Sequence, residues 1–145
     1  MNPDIVTGNN AFKGHSPDSL PSPAELFDMT GKVVLITGGS RGMGRAMSLA
    51  FAKAGADVIV ASRKIESCED VAELIRGMGR RALPVACHVG KWADIDNLVE
   101  QAYAEFGKVD VLINNAGMSP ASPSSKDISE ALFDKVVDVN FKGPY

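Results

Sequence analysis

The chain has 145 residues, 45% hydrophobic and 23% charged, with 15 Lys and Arg against 18 Asp and Glu. That length suits one domain with a core of its own, and a net charge of −3 with both signs spread along the chain argues against a nucleic-acid surface. No apolar run approaches the ~20 residues of a membrane-spanning helix, and Cys68 and Cys87 stand at no CxxC or metal-ligand spacing. The expectation is a cytoplasmic protein with no metal site and no membrane or nucleic-acid partner.

Residues 1–30 carry Pro3, Pro17, Pro21 and Pro23 among Asn, Gly and Ser, without heptad or alternating pattern. They lack the basic start and apolar stretch of a secretory signal, and they contain no Arg, which argues against a transit peptide. The composition predicts a flexible N-terminal extension, with Leu26 and Phe27 packing on the edge of a domain at 31–145. His15 falls in this extension and needs no role.

From Lys32 onward strands and helices alternate. Val33-Val34-Leu35-Ile36 is a continuous apolar run, the mark of a strand buried on both faces of a parallel sheet. A glycine-rich turn comes next, then a helical stretch through Ala54 that Gly55 is placed to cap. Val58 to Ala61 reads as a second strand. Cys68, Val71, Ala72, Ile75 and Met78 then mark one apolar helical face, closed by Gly77 and Gly79. Ala82 to Ala86 is a third strand, and Pro84 predicts an edge position for it because proline cannot donate to a ladder.

Ile95, Leu98, Val99, Ala102 and Phe106 form the next helical stripe, which stops at Gly107. Val109 to Ile113 reads as a fourth strand and 129–142 as a fourth helix, with Ser129 as N-cap and Gly143-Pro144 as stop. The alternation predicts an α/β fold: a doubly wound parallel sheet of the Rossmann type, incomplete, with about four strands and flanking helices.

Between the first strand and helix lies Thr37-Gly38-Gly39-Ser40-Arg41-Gly42-Met43-Gly44. A turn without side chains, placed at a helix N-terminus, lets backbone N–H groups face a pyrophosphate. A glycine cluster alone is weak evidence, but its place between an apolar strand and a helix strengthens it. No Gly-Lys-Ser/Thr comes after it, which excludes a Walker A loop. A binder of NAD places Asp or Glu about twenty residues on, at the end of the second strand. Here that position holds Ser62, followed by Arg63 and Lys64. Arg63 and Arg41 suit a ribose 2′-phosphate, with charge-assisted bonds of roughly 1.5–3 kcal/mol each. A solvated Arg63 at a helix start is the bland alternative, disfavoured because a cation gains nothing from the positive end of a helix dipole.

Three segments in order resemble the short-chain dehydrogenase/reductase family. Thr37 to Gly44 matches its TGxxxGxG turn, Asn114-Asn115-Ala116-Gly117 its NNAG segment, and Val139-Asn140-Phe141-Lys142-Gly143 its VNxxG segment. The resemblance runs from about Leu26 to the end of the chain. It implies an oxidoreductase acting on a carbonyl/alcohol pair, with NADP(H) preferred and NAD(H) as the alternative cofactor. Cofactor contacts would come from Gly38, Gly39, Ser40, Arg41, Gly42, Met43, Gly44, Ser62, Arg63, His88, Val89, Asn115, Ala116 and Gly117. Asn140 matches the Asn of a catalytic Asn, Ser, Tyr and Lys tetrad, which helps hold a water in a proton relay.

Local chemistry leaves two readings of Asn140. It shares a helical face with Phe133, Val136 and Val137, and an amide on an apolar stripe must find partners or cost about 1–3 kcal/mol. A satisfied core amide meets that condition as well as a catalytic one. After the third strand the family commonly has Asp-Val, where this chain has Cys87-His88-Val89. His88 offers a ring that donates or accepts at the adenine edge, and the variant is similar to a tetrameric carbonyl-reductase branch of the family.

The family's Tyr stands four residues before a Lys. Tyr103 is followed at that spacing by Gly107, Tyr145 is the last residue given, and no Ser follows Asn140. The expectation is therefore the cofactor half of such an enzyme, inactive alone, with a fourth strand left as an unpaired edge. The substrate would be a small carbonyl or alcohol, with the loop from Met118 to Asp127 as one wall of its pocket, and the full-length protein a homo-oligomer. A non-catalytic NADP(H)-binding module is the alternative. A methyltransferase of similar architecture would need an acidic residue where Ser62-Arg63 stands.

Overall fold

The computed structural model describes residues 21–122 and 124–145. His15 and most of the expected N-terminal extension lie outside the described residues. A short helix α1 spans Pro23–Leu26. Leu26 and Phe27, expected to pack, are 63% and 74% exposed. Met29 instead packs against the core, held by its N–H donating to Ala54 O at 2.8 Å.

The alternating elements are β1 (Val33–Thr37), α2 (Gly42–Lys53), β2 (Asp57–Ser62), α3 (Ile65–Gly77), β3 (Ala82–Ala86), α4 (Trp92–Phe106) and β4 (Val111–Ile113). The four strands are parallel in the order β3-β2-β1-β4. Pro84 lies on the edge strand β3, as its missing donor requires. An incomplete Rossmann-type sheet is thus the architecture.

Successive side chains of one strand point to opposite faces, which is why residues 33–36 of β1 and 58–61 of β2 are apolar without alternation. Val34, Ile36, Val58 and Val60 pack with Ala52, Cys68, Val71 and Ile75 on one face. Val33, Leu35, Ile59 and Ala61 pack with Val85, Cys87, Leu98 and Ala102 on the other. Every residue of β1 is buried.

Two elements depart from the sequence reading. The fourth strand starts at Val111 rather than Val109. Asp110 bridges to β1 by side chain as well as backbone, its Oδ2 accepting Val33 N–H at 2.8 Å. Lys108 Nζ holds the same oxygen at 2.9 Å and donates to Gly31 O at 2.7 Å. The fourth helix is two pieces: α5 (Glu130–Val137), then a π-helical turn over Asp138–Lys142. Ser129 caps α5 as expected, Oγ accepting Leu132 N–H at 3.2 Å. In the π turn Gly143 N–H reaches back five residues to Asp138 O at 2.9 Å. The widened turn rotates its own residues relative to α5, so Val139 is buried while Asn140 faces outward. No helix among the described residues is long and apolar enough to cross a membrane.

Candidate functional site

The C-terminal ends of the strands open into a cleft of about 1090 Å³. Its walls gather segments far apart in sequence: the turn from β1 to α2, Ser62 to Lys64 after β2, Cys87 to Val89 after β3, and Asn115 to Pro120 after β4. A crevice at this end is where open α/β sheets bind ligands.

The turn is shaped for close approach. Gly38 has φ +66, and a Cβ there would stand 2.9 Å from Asn115 Nδ2. A Cβ on Gly44 would collide with the Gly38 carbonyl and stand 2.6 Å from the same Nδ2. Thr37 anchors the turn to the end of β4. Its hydroxyl donates to Ile113 O at 3.3 Å and accepts from Asn115 N and Ala116 N, both at 3.1 Å. Asn115 Nδ2 donates to Thr37 O at 2.9 Å and Gly38 O at 3.3 Å. Ser48, wholly buried on α2, points its hydroxyl at Gly44 O (2.9 Å) and Gly39 O (3.2 Å).

Among the described residues nothing accepts a hydrogen bond from the backbone N–H of Arg41, Gly42 or Met43. These amides head α2, whose first turn carries no acidic residue, so the positive end of the helix dipole faces the cleft. The arrangement fits a diphosphate.

The charge on the walls has one sign. Arg41, Arg63, Lys64 and Lys135 line the cleft, and no Asp or Glu does among the described residues. None of these four cations has an ion-pair partner among the described residues. At the opposite end of the sheet Arg76, Arg80 and Arg81 are each paired with a carboxylate. Four cations without an ion-pair partner among the described residues thus share one cleft, where an anion would meet them.

Of the residues singled out from sequence, Gly38, Ser40, Arg41, Gly42, Met43, Gly44, Ser62, Arg63, His88, Val89, Asn115, Ala116 and Gly117 all line the cleft. Gly39 does not. Its N–H donates to Ala61 O at 3.1 Å, and its α-carbon faces Ile36 O and the Val60 side chain. Asn140 is also off the wall. Its amide clasps the backbone of Met118, Nδ2 donating to Met118 O at 2.7 Å and Oδ1 accepting Met118 N–H at 2.8 Å. The partners that an amide on this helix needs are thus local.

His88 Nδ1 accepts the Gly90 N–H at 3.1 Å, and Asp94 Oδ2 accepts the His88 N–H at 2.9 Å. Because a backbone amide only donates, the neutral ring carries its proton on Nε2. Burial pushes the Cys87 thiol up to about 11, helped by the negative charge of Asp94 and by Cys68. That thiol stays protonated and is no nucleophile at neutral pH.

Sequence reading missed Ser67, Lys135 and Val139 on the walls. Ser67 lies in the first turn of α3, four residues after Arg63. Lys135 stands on another element with no local pattern to mark it.

A family model described as short chain dehydrogenase matches residues 32–145. The chain belongs to the short-chain dehydrogenase family. An uncharacterised oxidoreductase of Mycobacterium tuberculosis is 44% identical over 111 residues, 74% of this chain and 42% of that protein. The crystal structure of 3-ketoacyl-(acyl-carrier-protein) reductase from Brucella melitensis complexed with NADH superposes with a TM-score of 0.75 at 42% identity, covering 81% of this chain and 47% of that one. A metagenomic short-chain oxidoreductase in complex with NADP gives 0.76 at 32% identity, covering 80% and 52%. The chain thus spans about half the length of the proteins it matches.

Proposed function

We propose that the chain forms the cofactor-binding part of an NADP(H)-dependent oxidoreductase that interconverts a small-molecule carbonyl and its alcohol. One observation carries the cofactor preference: the cleft has Arg41, Arg63 and Lys64 around the ends of β1 and β2 and no carboxylate on its described walls. A carboxylate at the end of β2 would bond a ribose 2′-OH and repel a 2′-phosphate. Ser62 and Arg63 there favour the phosphorylated ribose. One solved relative holds NADH and another NADP, so the family alone does not choose between them.

When bound, a nicotinamide dinucleotide gives or takes the hydride. The residues of this chain bind and orient it. The free amides of Arg41, Gly42 and Met43 receive the diphosphate, Arg41, Ser62 and Arg63 the 2′-phosphate, His88 and Val89 the base, and Asn115, Ala116 and Gly117 the far ribose. Gly39 supports the turn from behind.

Asn140 acts in this reading at the proton-relay end. Its side chain fixes Met118, and its main-chain carbonyl has no backbone donor among the described residues. The residue four positions on is Pro144, which has no N–H to give. That carbonyl is free to hold a water. The Met118–Asp127 segment forms one wall of the substrate pocket.

Calorimetric titration of the folded chain with NADPH and NADH tests the reading. Tighter binding of NADPH is the expected result. No heat from either nucleotide would remove both the cofactor and the activity.

A further inference from the structure

Behind the 2′-phosphate end of the cleft lies a chain of three small polar side chains. Ser40 Oγ and Ser62 Oγ, both on the wall, stand 2.7 Å apart. Cys68 Sγ stands 3.3 Å from Ser62 Oγ on the side away from the cleft. Cys68 is wholly buried on α3. The other oxygens near its sulfur are the carbonyls of Val85 at 3.7 Å and Ser62 at 3.9 Å, which only accept. Each of these three oxygens can receive the thiol proton, and the nearest is Ser62 Oγ. Burial pushes the Cys68 thiol up, so the proton stays on sulfur at neutral pH.

We propose that Cys68 is a positioning residue for cofactor choice: its S–H anchors Ser62 Oγ, so that the Ser62 hydroxyl donates to Ser40 and the Ser40 hydroxyl donates into the cleft. This rests on the reading of the cleft as a 2′-phosphate site. A hydroxyl has one proton and two lone pairs. With Cys68 on one lone pair of Ser62, a Ser62 proton given to Ser40 leaves the Ser40 proton for the anion, and bonds aligned in this way polarise one another. An apolar residue at 68 would take this donor from Ser62 and leave the Ser62 proton free to turn away from Ser40.

The test is the ratio of NADPH to NADH affinity, measured by titration of the folded chain and of Cys68→Ala and Cys68→Ser. Cys68→Ala should lower NADPH affinity about threefold to tenfold and leave NADH affinity unchanged, the effect of one hydrogen bond. Cys68→Ser keeps a donor and should retain the ratio. Equal losses for both nucleotides in Cys68→Ala, or an unaltered ratio, would overturn the role, because loss of packing alone does not separate the two cofactors. If the unsubstituted chain binds NADPH no better than NADH, the 2′-phosphate reading fails and the inference with it. That outcome is seen before any substitution is made.

Discussion

Asn140 and Met118, 22 residues apart, are joined by two hydrogen bonds in opposite directions, 2.7 Å from Nδ2 and 2.8 Å to Oδ1. An amide side chain here imitates a strand neighbour and holds the segment after β4 to the π turn. The same contact pins one wall of the cleft, since Met118 lines it and Asn140 does not.

Replacing Asn140 by Ala should free that segment without touching the glycine turn. Hydrogen exchange at the Met118 amide should accelerate by about fivefold, the loss of a bond worth roughly 1 kcal/mol. NADPH affinity should hold within about twofold, because the proposed phosphate contacts lie elsewhere. Unaltered exchange would mean that Met118 is held by something other than Asn140.

The substitution Arg63→Asp inverts the charge at the end of β2. Arg63 has no ion-pair partner among the described residues, so removing it strands no carboxylate. Preference for NADPH over NADH should fall by at least about tenfold, the equivalent of one charge-assisted bond, or reverse. Fluorescence titration with both nucleotides measures it. A preference that survives would take Arg63 out of the site and leave Arg41 and Lys64 to explain the selectivity.

Much of this was legible from residue patterns. Cys68, Val71, Ala72 and Ile75 are buried as their spacing required, because a two-sided parallel sheet leaves each helix one face to bury. Met78 belongs to the same stripe but is 39% exposed, since α3 ends at Gly77 and the chain turns away. Pro84 announced the sheet edge by the donor it lacks. What was not legible depended on partners distant in sequence. Asp110 ends the ladder early by bonding Val33, 77 residues away. The π turn shifts the phase of its helix, and periodicity assumes a constant pitch. Thr37 and Ser48 hold the glycine turn by hydroxyls, and such bonds leave no repeat in a sequence.

Two glycine-to-alanine changes separate a close approach from an idle glycine. Gly44→Ala brings a methyl onto the Gly38 carbonyl and Asn115, which should destabilise the fold by about 1–3 kcal/mol and weaken dinucleotide binding as the turn shifts. Gly77→Ala meets nothing within 4 Å at ordinary φ, and should be neutral or stabilise by about 0.4–1 kcal/mol through the unfolded chain. Urea midpoints of the two variants give the comparison. Equal midpoints would mean that the turn relaxes around the added methyl.

The Asp110 clasp should make the fold sensitive to acid. Its hydrogen bond from Lys108 and then that from the Val33 N–H hold the carboxyl below its usual 3.8. A carboxyl with a lower value in the folded than in the unfolded chain stabilises the fold above the unfolded value. That contribution is lost as pH falls through 3.8 and below the folded value. Asp110→Asn keeps an acceptor oxygen for Val33 but removes the charge facing Lys108. The variant should melt below the unsubstituted chain at pH 7, and the gap should close as the pH is lowered through and beneath 3.8. Thermal melts from pH 7 to pH 3 measure the gap. A gap that stays constant across that range would assign the effect to geometry at the start of β4 rather than to the charge of Asp110.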